Sequence, residues 1–352
     1  MALAKARRYA RDVRDLADLA DLTDLAAASA LGAQLRHAGL NARALAGWAG
    51  TVRVSALPAR LDALPAPQTP AGAILALFIA GSALPRDRLR NLPDAVLDPL
   101  IAGGLIQRDA DRLRARLAIV PLGAALLVCD RLDAAIERDL VCWPDDSSHH
   151  LASAIPPGRR ADWLDLGCGS AFAPLARPEL ASRIAGLDIN PRGVACARLG
   201  AALSGISHLA VSFGDIAGAQ APADLVTCNA PMPDLGGTRE PLHRAMPEVW
   251  RRADPDFFPR LWPALSRAVR PGGLIVVHGA YEAIRPALAN AAGERVIVRY
   301  TPDDAPGFAV AWWRPDAPGR LAVARRALTA DRPHIDPRDR DDALGSTRAA
   351  PV

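Results

Sequence analysis

The 352-residue sequence is short of cysteine, of long apolar runs and of net charge, and each shortage removes a class of protein. Its five cysteines, at positions 129, 142, 168, 196 and 228, are odd in number, scattered and never spaced as C-x-x-C. Neither a disulfide framework nor a zinc knuckle is indicated, so they read as reduced, mostly buried thiols, and no metal site is expected. The longest apolar stretch, "AGAILALFIAG" at 71–81, falls well short of the roughly 20 residues that span a bilayer. The opening, "MALAKARRYARDVRDLADLADL", sets charges where the apolar region of a signal peptide would lie. A cytoplasmic protein with no membrane partner is the expectation. A formal net charge of +4 is a small excess of arginine, not the basic footprint of a dedicated nucleic-acid binder. It permits RNA without arguing for it.

Half of the residues are hydrophobic, ample for a buried core and for two or more compact units. Residues 1–65 carry leucines three or four apart in "DLADLADLTDLAAASALGAQLRHAGL", the period of one or two amphipathic helices, before the Pro-rich linker "ALPAPQTPAG" at 63–72. Residues 66–140 predict short helices at 72–80, 86–91 and 94–103. A strand follows in which Leu113, Ala115, Leu117 and Ile119 alternate with Arg112, Arg114 and Arg116. Three short helices and a ribbon look like a winged-helix domain. Such a unit serves either nucleic-acid contact or substrate gripping and dimerisation, its arginines merely facing water. Residues 141–318 alternate strands (162–166, 183–188, 208–213, 223–228, 272–278, 294–300, 307–313) with helices at 191–204, 256–269 and 281–291. That order predicts an α/β, Rossmann-like sheet of seven strands, mostly parallel. The last two strands, joined by "TPDDAPG", should form an antiparallel hairpin at its edge. Residues 319–352 are charged and poor in large apolar side chains, which predicts a largely disordered tail.

In such a sheet a ligand lies at the carboxyl ends of the strands. The first strand ends in "WLDLGCGSAFAPL", where Gly167 and Gly169 let the backbone turn sharply and approach a ligand closely. Asp165 stands just before them, where it would repel a dinucleotide pyrophosphate but not a cation; this disfavours NAD and favours the sulfonium and amino group of S-adenosylmethionine (SAM). The run Asp165-Leu166-Gly167-Cys168-Gly169-Ser170-Ala171 resembles the first motif of class I SAM-dependent methyltransferases, D/E-x-G-x-G-x-G, with alanine for the third glycine. Asp188 ends the second strand, where an acidic side chain takes the ribose hydroxyls as donors. Ile189 and Asn190 are placed to flank the adenine, and Pro191 opens the next helix. After the third strand come Gly214 and Asp215; in the family the acidic residue accepts a hydrogen bond from the adenine amino group.

The fourth strand delivers "VTCNAPMP". Class I enzymes that methylate amino or amide nitrogens carry N/D-P-P-Y/F/W here; Asn229, Ala230, Pro231 and Met232 keep the first and third positions and change the second and fourth. A conjugated NH₂ is a poor nucleophile, so a site must hold it in line with the methyl–sulfur bond. The Asn229 side-chain oxygen and the Ala230 carbonyl are the candidate catalytic acceptors of its two hydrogens, with Pro231 shaping the turn. Methionine, a flexible filler, replaces the aromatic residue that packs a flat target. The insertion 234–258 has a Gly236-Gly237 hinge and reads as a lid, with Trp250 the candidate aromatic wall. "WPDDSSHHLAS" at 143–153 precedes the first strand; Asp146, Ser147 and His149 are candidate cofactor or substrate contacts, although adjacent histidines in a polar turn also suit plain solvation.

The resemblance, over roughly residues 141–315, together with the N-terminal module, is to the "methyltransferase small" group, which includes enzymes acting on release-factor glutamine and ribosomal RNA guanine. It implies methyl transfer to an amide or amino nitrogen of a protein or RNA. A small-molecule acceptor is the enzymatic alternative, and a non-catalytic SAM-binding regulator with a winged-helix domain is the alternative of another class.

Overall fold

In the computed structural model, residues 25–134, 140–218, 222–231, 257–300 and 307–346 are described. The "DLADL" repeat, Met232, Trp250 and nearly all of the insertion read as a lid lie outside them. No helix among the described residues is long and apolar enough to cross a membrane.

Two helices open the described chain: α1 (Leu25–Ala38) and α2 (Ala42–Ala49), the second capped by the Asn41 side chain accepting from Ala44 N–H and closed by Gly50 at φ 66°. After 3₁₀ turns, Thr69 caps α3 (Pro70–Phe78), buried along almost its whole length. Strand β1 (Leu84–Pro85), a 3₁₀ turn at Arg86–Leu89, α4 (Asp94–Ala102), β2 (Ile106–Asp109) and β3 (Arg112–Ala115) follow. These strands pair in the order β1-β3-β2. The alternating run expected as one strand through Ile119 is broken after Ala115, and its second half starts β4 (Ala118–Leu122), which pairs with β5 (Ala125–Cys129) in a separate ribbon.

The main sheet contains β6 (Arg160–Leu166), β7 (Ala181–Asp188), β8 (Leu209–Phe213), β9 (Ala223–Asn229), β10 (Val269–Ala280), β11 (Glu294–Arg299), β12 (Phe308–Arg314) and β13 (Arg320–Arg325). Its order is β13-β11-β12-β10-β9-β6-β7-β8, with β12 antiparallel to both neighbours and all other pairings parallel. This is the expected mostly parallel, Rossmann-like α/β sheet, with eight strands instead of seven. The β11–β12 pair is antiparallel as expected but does not form the edge, because β13 runs along the outer side of β11.

Burial on both faces gives the strands their apolar runs. Trp163, Leu225, Val276 and Trp312 face one cluster; Leu164, Val226, Val277 and Trp313 face the other, as the two-residue pleat requires. The second face is covered by α8 (Phe257–Ala268) and α9 (Tyr281–Ala289) through Leu261, Leu265, Ile284 and Leu288. The first is continuous with the N-terminal residues, from Leu31 and Ile74 through Leu127.

Close backbone approach makes that junction. A Cβ on Gly32 of α1 would lie 1.8 Å from the Leu203 carbonyl oxygen of α7 (Pro191–Ser204), and one on Gly200 would lie 3.1 Å from the Leu126 carbonyl of β5. Asp130, just beyond β5 and 5% exposed, pairs with Arg192 in the first turn of α7 and accepts Val141 N–H at 2.7 Å.

The segment expected as a disordered tail from 319 forms β13 and, after a loop, α10 (Pro337–Ser346). Charges hold it: Asp339, buried, receives Arg326 and Arg332, and Arg340 pairs with Glu294 of β11.

Candidate active site

Between β6 and α6 (Phe172–Ala176) the chain must reverse within a few residues, and three of them take left-handed φ: Gly167 (66°), Gly169 (52°) and Ala171 (60°). Glycine adopts that region freely and alanine at a cost. The turn is held by the strand beside it. Gly167 N–H donates to the Leu187 carbonyl at 2.8 Å, and Gly169 N–H to Asp188 Oδ2 at 2.7 Å. Asp188 also takes Asn190 N–H on Oδ1 at 2.7 Å, and its carbonyl accepts Gly214 N–H at 2.9 Å. One aspartate therefore ties together the ends of β6, β7 and β8. Burial pushes its carboxyl pKa up, opposed by the two N–H groups it accepts.

A ligand can reach this turn, since a Cβ on Gly167 or Gly169 would meet no atom within 4 Å. Ile189 is 65% exposed, as is Phe213 at 63%, at the carboxyl ends of β7 and β8. Exposed large apolar groups bordering a polar turn mark a surface that a flat apolar ligand can cover. Phe213 was not among the sequence candidates, although it immediately precedes Gly214. Asp215 holds Ala217 N–H at 2.8 Å and Arg260 of α8 at 2.8 Å, which keep its carboxyl below the usual range. Cys168 is buried, and its sulfur packs where a Cβ on Gly186 would fall, 2.9 Å away.

Asp165, 3% exposed, accepts the Thr227 hydroxyl at 2.5 Å, and Thr227 accepts Trp163 Nε1–H at 2.7 Å. Burial, with the charge of Asp188 nearby, raises the Asp165 pKa to about 7. A carboxyl so placed is poised to be ionised by a cation, which fits a sulfonium or ammonium ligand.

Two residues beyond Thr227, Asn229 ends β9. It donates from Nδ2 to Ser147 Oγ at 2.8 Å, and its Oδ1 lies 2.8 Å from His278 Nδ1 of β10. His278 Nε2 lies 2.7 Å from Tyr300 Oη, just after β11. Ala230 N–H donates to the His278 carbonyl at 2.8 Å. Ser147 stands in the first turn of α5 (Asp146–Ala154) and donates to Asp145, the N-cap, which also accepts Ser148 N–H. Thus the structure joins Ser147 to Asn229 as members of one cluster. Asp146 instead faces the N-terminal unit, bonded to Ser55 at 2.7 Å and Arg53 at 3.1 Å.

The histidines are packed into the protein. His150 is buried, accepts Ile335 N–H on Nδ1 at 3.1 Å, and lies 4.2 Å from the Tyr300 ring. His149 stacks on His334 at 5.1 Å and meets Phe172 edge-on at 4.8 Å. Burial lowers their pKa values to about 4 for His149 and about 3 for His150. No group of three or more His, Cys, Asp or Glu among the described residues is arranged to hold a metal ion.

No protein-family model matches the chain, and no curated protein sequence does. Solved structures are similar over part of it. A ribosomal-protein methylase from Lactobacillus delbrueckii subsp. bulgaricus superposes with a TM-score of 0.33 and 19% identity, over 48% of this chain and 76% of that one. The 16S rRNA methyltransferase RsmC of T. thermophilus, solved with AdoMet and guanosine, gives 0.37 and 19%, over 58% of this chain and 46% of that one. A predicted O-methyltransferase from Agrobacterium tumefaciens gives 0.37 and 20%, over 58% and 98%.

Proposed function

We propose that the chain is a SAM-dependent methyltransferase whose acceptor is an amide or amino nitrogen of a protein or RNA. The observation that carries this reading is the Asp165–Thr227 bond. It fixes the acidic glycine turn of β6 two residues from Asn229-Ala230-Pro231, so a cofactor-type turn and a nitrogen-acceptor loop share one end of one sheet.

Bound SAM supplies an electrophilic methyl group. The chain's own residues do the rest. Gly167, Cys168 and Gly169 bring backbone close to the cofactor; Asp165 offers negative charge to its cationic end; Asp188 offers lone pairs to the ribose hydroxyls; Ile189 and Phe213 flank the adenine, with Asn190, Gly214 and Asp215 at its polar edge. The Asn229 oxygen and Ala230 carbonyl each accept a hydrogen from the acceptor nitrogen and hold it in line for attack. Met232 and Trp250 belong to the acceptor side of this proposal as the residues that would cover the target, and His149, packed against Phe172 and His334, is a further candidate contact there.

The regulator reading draws on the N-terminal order of helix, strand, 3₁₀ turn, helix and ribbon, an order compatible with a winged-helix unit. Charge weighs against its use on DNA, because residues 66–134 hold eight arginines against seven aspartates. The test is incubation with methyl-labelled SAM and an extract from a strain lacking the protein, after calorimetry with SAM alone. Label that becomes soluble with protease or RNase supports the proposal and identifies the acceptor class. Label in the small-molecule fraction supports the metabolite alternative, and SAM binding without label in any fraction supports the regulator.

A further inference from the structure

His278 is 2% exposed, yet both of its ring nitrogens are bonded, to Asn229 and to Tyr300. Followed outward from Asn229 on the other side, the contacts run through Ser147 to Asp145. Five polar side chains drawn from α5 and its cap, β9, β10 and the end of β11 therefore form one line, with Ser148 joining it only at Asp145.

Such a line has a direction, and the carboxylate decides it. Ionised, Asp145 can only accept, and it takes the single Ser147 hydroxyl proton; burial raises its pKa, opposed by the hydrogen bonds it accepts from Ser147 and Ser148. Ser147 Oγ must then accept from its other neighbour, so the Asn229 NH₂ faces it at 2.8 Å and the Asn229 oxygen faces His278. That oxygen needs a donor, which places the imidazole proton on Nδ1. Nε2 is left as an acceptor, and the Tyr300 hydroxyl donates to it. Burial lowers the His278 pKa to about 3, so at neutral pH the ring carries one proton, as the line requires. Tyr300 is itself held by the His150 ring, and His150 by Ile335 N–H of the C-terminal segment.

We propose that Asp145, acting through Ser147, sets the direction of this hydrogen-bond line and so presents the oxygen of Asn229, rather than its NH₂, to the acceptor nitrogen, with His278 and Tyr300 as positioning residues. The catalytic consequence rests on the methyltransferase reading; the direction of the line does not. With His278 on one lone pair, Asn229 Oδ1 keeps the other for one acceptor N–H, and the Ala230 carbonyl takes the second. A reversed line would set the Asn229 N–H groups against the acceptor's own N–H groups, two donors with no acceptor between them.

The experiment uses the full chain labelled with ¹⁵N-histidine, and compares wild type with Ser147→Ala, Ser147→Thr and Tyr300→Phe. Long-range proton–nitrogen spectra identify the His278 tautomer, calorimetry gives SAM affinity, and methyl-labelled SAM with extract gives transfer. In wild type and Ser147→Thr, His278 is expected as the neutral Nδ1–H form. In Ser147→Ala, which cuts the line from Asp145, the Nε2–H form should appear. Transfer should fall by about 10–100-fold in Ser147→Ala and Tyr300→Phe, less than the 10²–10³ loss for a direct contact. SAM affinity should stay within about twofold, and Ser147→Thr should restore transfer. A wild-type Nε2–H tautomer, or a Ser147→Ala spectrum unchanged from wild type, overturns the proposed direction. Wild-type transfer that survives both Ser147→Ala and Tyr300→Phe overturns the positioning role. Wild type that binds no SAM defeats the functional reading instead, and the tautomer spectra still decide the line.

Discussion

The two halves of the candidate site are built in different ways. At the ends of β6, β7 and β8 the half proposed for the cofactor is made of backbone: left-handed residues at 167, 169 and 171, and N–H groups of Gly169, Asn190 and Gly214 gathered on Asp188. At the ends of β9, β10 and β11 the half proposed for the acceptor is made of side chains, from Asp145 through Ser147, Asn229 and His278 to Tyr300. A backbone cradle binds a fixed cofactor by shape and tolerates exchange of side chains that point away. A side-chain line orients one polar atom, and any break in it leaves a buried group unpaired. Substitution should therefore separate the halves: binding should be lost on one side and transfer on the other.

The largest expected effect is on the acceptor side. Asn229→Ala removes the proposed acceptor at the reacting nitrogen and takes one of two hydrogen-bond partners from each of Ser147 and His278. Methyl transfer should fall by about 10²–10³, with SAM affinity within a few-fold of wild type. Rate and affinity measured on the same preparation check this. A parallel loss of SAM binding would mean that the two halves are one unit.

The same contrast explains what could be read in the sequence. Residues 165–171, 188–190 and 214–215 are local: each group sits at the end of a strand, so strand period and glycine position locate it. The acceptor half joins positions 145, 147, 229, 278 and 300, and nothing local marks His278, one residue in an apolar strand, or Tyr300, the first residue after another. The central strands β6, β9, β10 and β12 were legible because their residues are buried on both faces, and β7 and β8 because buried residues alternate with exposed ones. β13 was not, because in "RLAVAR" only Ala322 is buried and Val323 is 46% exposed, leaving no apolar period. α10 was hidden for the opposite reason: composition marks "PRDRDDALGS" as disordered, whereas ion pairs from Arg326 and Arg332 to the buried Asp339 tie it down. A charged segment is ordered here by paired charges around a few apolar contacts, Ile335, Ala343 and Leu344, instead of by a continuous apolar stripe.

Acid should break the acceptor half first. His150 and His278 are buried with pKa values pushed down to about 3, below the 6.5 of an exposed imidazole. Their neutral forms contribute stability that is fully present above pH 6.5 and is lost as pH falls toward the folded-state values. Each would contribute a slope of about 1.4 kcal/mol per pH unit in that interval. Urea unfolding at pH 7, 6 and 5 should show this decline, and His150→Gln should reduce the slope. Hydrogen exchange at pH 5 should show Ile335 N–H, whose acceptor is His150, opening ahead of the sheet.

A smaller effect, also favoured by rising pH but arising from a pKa shifted upward, belongs to the proposed cofactor half. Asp165, raised to about 7, is partly protonated at neutral pH, and its ionisation is what a cationic ligand rewards. SAM affinity should therefore increase with pH through about 7, by at most about tenfold per unit below that value, with proton release on binding. Calorimetry in buffers of different ionisation enthalpy measures both. Asp165→Asn should bind more weakly and show neither the slope nor the proton release; an unchanged slope would place the titrating group elsewhere.

The smallest effect concerns Ala171, which takes φ 60° and ψ 43° as the residue before α6. A Cβ in that region costs about 1–2 kcal/mol, and glycine would remove the strain while adding freedom to the unfolded chain. Ala171→Gly should then stabilise the protein by about 0.5–1 kcal/mol, read as a higher urea midpoint at constant slope. Ala110, at φ 52° in the turn between β2 and β3, offers the control. Ala110→Gly should give a similar gain there and leave SAM affinity unchanged, because that turn lies in the N-terminal unit. If Ala171→Gly alone also weakens SAM binding, the alanine that departs from the glycine pattern is holding the turn in its binding shape, and its strain is part of how the cradle is kept rigid.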